Sequence, residues 1–300
     1  MKKEIQEIDD FITLLQDDGE DLLPEIEKKL SVLEKEVETY SLYIFLNGKH
    51  DKGNAILQIF AGAGGRDAQD WVAILLHMYQ KYCDKHGFES KILNRSFGEP
   101  GGPDSRIGIK NVTVEIHGRY AFGFLKKEAG VHRLVRISPF SSQDLRHTSF
   151  AQVVVLPKIE ESDAKSLRVD AKDFKIETFR SSGPGGQYMQ KTESAVRITY
   201  LPTKIVANCQ SERSQAKNKK KAMEVLLSKL WRIEEQTRKQ KLKGLKGVID
   251  PAWGKQIRNY VFHPYQLVKD LRTQVEATNI KDVLDGNIDI FIESEIKLKD

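Results

Sequence analysis

The chain has 300 residues, 39% hydrophobic and 30% charged, with a formal net charge of +5. That length supplies two or three packed cores, and no apolar run approaches the roughly 20 residues of a membrane helix, so no membrane partner is expected. Cys83 and Cys209 stand too far apart for a disulfide framework or a metal-ligand spacing, and no two-histidine zinc helix or Gly-Lys-Ser/Thr phosphate loop occurs, so no metal, no cofactor and a reducing, cytoplasmic setting are expected.

Met1-Lys2-Lys3-Glu4-Ile5-Gln6 leads into alternating acidic and apolar residues rather than a secretory leader. Residues 3–40 read as helical, with Leu22, Ile26, Leu30, Leu33 and Val37 recurring at threes and fours and Pro24 in the first turn of a second helix. Ala55–Phe60 reads as a strand, Ala61–Gly65 as a glycine turn, and Arg66 and Asp67 as the start of a helix with Trp71, Ile74, Leu75, Met78 and Tyr82 on one face. The turn lacks the third glycine of a dinucleotide fingerprint, and no regular βαβ series follows. Asn111–His117 alternates as a half-buried strand, residues 121–129 read as helix and Val131–Ile137 as strand. A polar hairpin-like loop spans Ser138–Thr148, with Val153–Leu156 as the return strand.

Glu160-Glu161-Ser162-Asp163 marks a boundary. Beyond it come a strand at Phe174–Phe179, a glycine loop, helix-compatible residues 191–196, and a hairpin of Arg197–Tyr200 and Ile205–Cys209 about Pro202-Thr203. Ser214 can cap a long helix running to about Leu242, buried along Met223, Leu226, Leu230 and Ile233. Residues 247–264 read as an irregular return, and 265–300 end in two short helices. The fold expected is α+β and multidomain. It comprises a short N-terminal helical domain over 1–46, an α+β domain over 47–160, a compact β-loop-α-β-β-α domain over 161–250, and a C-terminal segment, 251–300, packing on the second domain.

Charge is unevenly spread. Residues 1–45 hold five basic side chains against thirteen acidic ones, and residues 211–246 hold twelve basic against four acidic. The basic segment is a candidate phosphate-binding face, with Arg213, Lys217, Lys219 and Lys220 on it and Arg180 beside the glycine loop as candidate RNA-binding residues; its plainer reading is a solvated helix surface. The loop itself reads Gly183-Pro184-Gly185-Gly186-Gln187. Adjacent glycines reach positive φ and allow close approach to the main chain, and Gln187 offers a donor and an acceptor but no acid or base. Taken alone, such a string is a surface loop.

Three separated signals together resemble the bacterial class I peptide chain release factors of the type that reads UGA and UAA. They are Arg180–Gln187 followed by Thr192–Ile198; Val131–Phe140 followed by Arg146–Phe150; and Ala61–Gly65 with Ala68-Gln69-Asp70-Trp71. Trp253–Arg258 and Lys269–Thr273 are smaller echoes, and the resemblance spans roughly residues 25–300. It implies hydrolysis of the peptidyl-tRNA ester inside the ribosome. There the protein would place a water and stabilise an oxyanion rather than bring a strong base. The catalytic residues implied are Gly185 and Gly186, for backbone geometry, and Gln187, whose N–H donates to the oxyanion and whose side chain, a target of methylation, admits only a water-sized nucleophile. The codon-reading residues implied are Ser138, Pro139 and Phe140, with His147 stacking on a base, Thr148 bonding a base edge, and Gly64 and Asp67 at a helix N-terminus reading the first uridine.

The partners implied are the ribosome, with its RNA, the stop codon and peptidyl-tRNA, together with a glutamine methyltransferase and a recycling GTPase release factor; the chain is expected to be a monomer. The family pattern has glutamate at Asp67, paired glycines within Ser142–Leu145, asparagine at Gln190, and a longer helical first domain. The altered loop motivates an alternative, a ribosome-rescue hydrolase with changed decoding. The basic helix motivates a third reading, a non-catalytic RNA-binding protein.

Overall fold

The computed structural model describes residues 30, 41–100, 107–141, 143–159, 170–180, 193–243 and 256–298. Two compact units divide the chain, Met1–Asn47 and Gly48–Leu298. In the first, residues 41–45 are helical, and Leu46 N closes the following turn on Tyr43 O at 3.2 Å. The helices read over residues 3–40 fall outside the described residues apart from Leu30.

The second unit is built on an eight-stranded sheet. Its strands are β1 (Ala55–Ala61), β2 (Glu89–Pro100), β3 (Ile107–His117), β4 (Gly130–Ile137), β5 (Arg146–Pro157), β9 (Gln256–Val261), β10 (Leu267–Asp270) and β11 (Glu276–Ala277), in the spatial order β11-β10-β9-β4-β5-β1-β3-β2. Helix α1 (Gly65–Lys85) lies across β1, β2, β3 and β5. Its buried stripe includes Trp71, Leu75, Met78, Tyr79 and Tyr82, the 3.6-residue pattern that drives a helix onto a sheet. A short α2 (Ala121–Leu125) precedes β4. The chain closes with α4 (Ile280–Leu284) and α5 (Asp289–Lys297), the two short helices read from the sequence.

A three-stranded sheet, β6 (Phe174–Phe179), β7 (Ala195–Tyr200) and β8 (Ile205–Cys209), carries the long helix α3 (Gln215–Lys243). Val196, Ile198, Ala207 and Cys209 meet Ala222, Val225, Leu226 and Leu230, and the same cluster takes in Ile56, Leu93 and Leu156 of the large sheet. Ion pairs flank it. Glu115 on β3, nearly inaccessible, pairs with Lys158 at 2.7 Å and Lys221 at 3.5 Å, and Lys91 pairs with Glu212 at 2.5 Å. Burial pushes the Glu115 carboxyl up, but the lysines and His117 outweigh it and hold it below its ordinary value.

Ile233, read as part of the buried stripe of the long helix, is exposed, and four further details differ from the reading of the sequence. Strand β7 begins at Ala195, so Ala195 and Val196 are not helical; they pair with Phe179 and Thr178 and bury apolar side chains. Residues 256–261, read as irregular, form β9 and pair in parallel with β4, from Val131↔Gln256 to Val135↔Val261. Arg146–Thr148, read as loop, are already in β5, opposite Val135–Ile137. Strand β2, opposite β3, has no counterpart in the sequence reading; Glu-Ser-Lys-Ile-Leu-Asn-Arg-Ser does not alternate, and its pairing carries register shifts.

Candidate functional site

The turn at Ala61–Gly65 runs along β5. Gly62 N donates to Phe150 O at 2.8 Å, and Phe150 N donates to Ala63 O at 2.9 Å. Gly64 has φ 129°, and a Cβ there would lie 2.3 Å from Ser149 Oγ, so the position requires glycine both for its backbone and for its closeness to β5. This contact seats the first turn of α1 over the β4–β5 hairpin.

Asp67, in that turn, is buried at the centre of the contact. Its Oδ1 accepts from Arg136 Nε at 3.0 Å, Arg136 Nη2 at 2.8 Å and Ser138 Oγ at 3.0 Å. Its Oδ2 accepts from Ser149 Oγ at 2.7 Å. Arg136 Nη2 also donates to Asp70 Oδ2 at 2.6 Å, one helical turn further along. Bonds with an ionised donor and an ionised acceptor are among the strongest available to a protein. Here they join one face of α1 to both strands of the hairpin. Sequence reading picks out Gly64, Asp67 and Ser138 but passes over Arg136, Asp70 and Ser149; the i, i+3 spacing of Asp67 and Asp70 on a helix face is the signal that was available.

The hairpin loop is braced from within. Ser138 N donates to Leu145 O at 3.2 Å, Ser141 N to Ser138 O at 3.1 Å, and Leu145 N to Ser141 Oγ at 3.3 Å. The Ser138 hydroxyl is buried, donating to Asp67 and accepting from Phe140 N at 3.3 Å. Pro139, His147 and Thr148 are exposed and Phe140 is half-buried. Gly64, Asp67 and Ser138 therefore gather at the root of the hairpin, while Pro139, Phe140, His147 and Thr148 belong to the projecting part. Ile137 and Leu145 also remain exposed there.

Gly185, Gly186 and Gln187 lie outside the described residues, but the stem of their loop does not. Phe179 pairs with Ala195 at its base, and Arg180 and Glu193, both exposed, stand 3.9 Å apart. The C-terminal side of the stem is anchored by Asn218, a fully buried residue of α3. Asn218 Nδ2 donates to Ser194 O and to Glu212 O, each at 2.8 Å, and its Oδ1 accepts from Glu212 N at 2.9 Å. In the sequence it sits among lysines and looks like part of a solvated face. Arg213, Lys217, Lys219 and Lys220 are exposed at the start of the helix, whereas Lys221 turns to Glu115 and Glu212. Asn218→Asp keeps the side-chain shape and removes both donors, facing a carboxylate with two carbonyls. The expected loss is about 1–3 kcal/mol of unfolding free energy, measured by denaturant titration; an unchanged midpoint would show that Asn218 anchors nothing.

Two family profiles cover nearly the whole chain. One, described as the PCRF domain, matches residues 1–153, and one described as the RF-1 domain matches residues 161–272. The braced hairpin and its helix belong to the first match, and the module of β6–β8 and α3 to the second. The chain belongs to the peptide chain release factor family, and its function is translation termination.

Similar proteins within that family include release factors 2. Peptide chain release factor 2 of Thermotoga petrophila is 48% identical over 283 residues, covering 94% of this chain and 75% of that protein. Peptide chain release factor 2 of Clostridium perfringens is 43% identical over 293 residues, covering 97% and 79%. Among solved structures, RF2 of Thermus thermophilus superposes with a TM-score of 0.80 at 38% identity, over 98% of this chain and 82% of that one. These relatives do not favour the rescue-hydrolase alternative.

Proposed function

We propose that the chain terminates translation specifically at UAA and UGA by promoting hydrolysis of the peptidyl-tRNA ester. The observation that carries the decoding half is the Asp67 clamp: a carboxylate accepting four hydrogen bonds fixes Ser138 and both hairpin strands against α1. It supports a rigid root from which Pro139, Phe140, His147 and Thr148 present a hydrophobic edge, a ring and a hydroxyl to a single-stranded codon. Ser138, whose buried hydroxyl donates to Asp67 and accepts from Phe140 N, sets the path of the loop that meets the second base. For hydrolysis, Gln187 N–H is the oxyanion donor, with Gly185 and Gly186 supplying clearance. Arg180, Arg213, Lys217, Lys219 and Lys220 contact RNA phosphates, as exposed cations beside the loop stem and on the first turns of α3 would. The chain acts in the cytoplasm as a monomer. Its partners are ribosomal RNA, messenger RNA and peptidyl-tRNA, a methyltransferase that modifies Gln187, and a recycling GTPase.

Single-turnover release on ribosomes programmed with UAA, UGA, UAG and a sense codon tests the proposal. Release confined to the first two is expected, and equal release on the sense codon would sink it. Asp67→Ala removes four acceptor contacts and leaves Arg136 held by Asp70 alone. The factor concentration giving half-maximal release on UAA is expected to rise about 10- to 100-fold, as for loss of a hydrogen bond to a charged group, with the saturating rate little changed. An unchanged half-maximal concentration would mean that the clamp does not position the reader.

A further inference from the structure

At the end of the sheet opposite the Asp67 clamp, where β1 begins and β3 and β5 finish, a cleft of about 590 Å³ opens against α3. Its lining brings together four cationic side chains, Lys52, Arg119, Lys158 and Lys220, and one carboxylate, Glu224. The walls are stapled to one another. Asn54 Oδ1 accepts from Gly118 N at 3.0 Å, Asn54 O accepts from Lys158 N at 2.9 Å, and Lys52 O accepts from Tyr120 N at 3.2 Å. Lys158 is shared between Glu115 at 2.7 Å and Glu224 at 3.3 Å, which fixes its ammonium between the sheet and the helix.

We propose that this cleft binds a compact polyanion carrying two or three adjacent phosphate groups. Like charges facing one another across a concave, partly desolvated surface repel, and they focus a positive potential that an anion relieves. The volume lies within the range of ligand sites, about 300–1,000 Å³, larger than a single phosphate needs. Lys52 and Arg119 belong to loops of the large sheet and Lys220 to α3, so one ligand touches both. Binding therefore stabilises their docking by simple linkage. The chemistry is common to free polyphosphates and to an RNA backbone. The site does not depend on the roles assigned to the hairpin or the glycine loop.

Isothermal titration of the full chain with sodium tripolyphosphate, and separately with a single-stranded RNA hexamer, tests it. The comparison is with Lys52→Gln/Arg119→Gln and with Lys281→Gln, a control on α4 outside the cleft. The expected result is saturable binding of at least one probe, weakened about tenfold or more in the double variant, as loss of two phosphate contacts predicts, and unchanged in the control. That probe also raises the thermal midpoint of the parent but not of the double variant, whose circular dichroism matches the parent's. Binding of tripolyphosphate that the hexamer does not displace assigns the cleft to free polyphosphates; displacement assigns it to an RNA backbone. No saturable binding of either probe, or equal binding by the double variant, overturns the proposal.

Discussion

Gly185→Ala lowers the rate of peptide release on UAA- or UGA-programmed ribosomes by about 10²- to 10³-fold, the scale of losing one oxyanion donor. The run Gly183–Gln187 carries no ionisable side chain, so the chemistry assigned to the loop rests on where a main-chain N–H is placed. A methyl group on Gly185 narrows the backbone conformations open to the loop and displaces that donor. The stem, pinned by the Phe179↔Ala195 pair and by Asn218, is untouched. Binding to stop-codon ribosomes is therefore expected to persist in a pelleting assay while the release rate falls. Loss of binding together with release would make the loop a docking element, and an unaltered rate would remove Gly185 from the catalytic group.

Arg258→Ala is expected to cost about 3–5 kcal/mol, the range for stripping one partner from a buried ion pair. Arg258 is fully buried, donating to Glu128 at 2.5 and 3.0 Å, to Asp270 at 3.3 Å and to Glu295 at 3.2 Å, with its guanidinium 4.3 Å from the centre of the Phe291 ring. Without it, three carboxylates from three separate elements face one another beside Arg272, which pairs with Asp270 and Glu295. Denaturant titration measures the effect, and a loss below about 1 kcal/mol, typical of an exposed pair, would show that the cluster is not load-sharing.

The same cluster makes the fold acid-sensitive. Burial pushes His132 down to about 4, among Tyr79, Tyr260, Glu128 and Arg258. The unfolded imidazole protonates first, near its ordinary value of about 6.5, so stability falls as pH drops from there toward 4. Burial raises Glu128, but Arg258 and His132 outweigh it and hold it below its ordinary value. Its contribution, present above the ordinary carboxylate range, is lost as pH falls through the lowered value, in the same direction.

Elements whose apolar positions keep a clean period were legible in the sequence. Ala55–Phe60, Phe174–Phe179 and the stripe of α1 lie where the pattern puts them. β9 was not, because its central residue is Arg258, a charge that reads as surface until its three carboxylate partners, 12 to 130 residues away, are brought beside it. The site divides the same way. Ser138-Pro139-Phe140 and Gly64 are visible as local strings, but the engagement of Asp67 by Arg136 and Ser149 is a product of strand register and burial, which no local window contains. Asn218 was hidden for the opposite reason: its neighbours in sequence are solvated lysines, and only the backward turn of the chain at Glu212 encloses it.

The parallel pairing of β4 with β9 bears on how the molecule is made. The chain leaves the large sheet at Pro157 and returns only at Gln256, with the whole β6–α3 module in between. That module's β7–β8 hairpin and helix are near neighbours in sequence, so their closure entropy is small and they can consolidate early. The strand that carries the hairpin must wait, its edge toward β9 unpaired and open to mispairing, until roughly a hundred further residues have left the ribosome. Synthesis from one end thus completes the β6–α3 module before the large sheet. A nascent chain cut short between Pro157 and Gln256 would hold the β4–β5 hairpin on a sheet that lacks β9, β10 and β11.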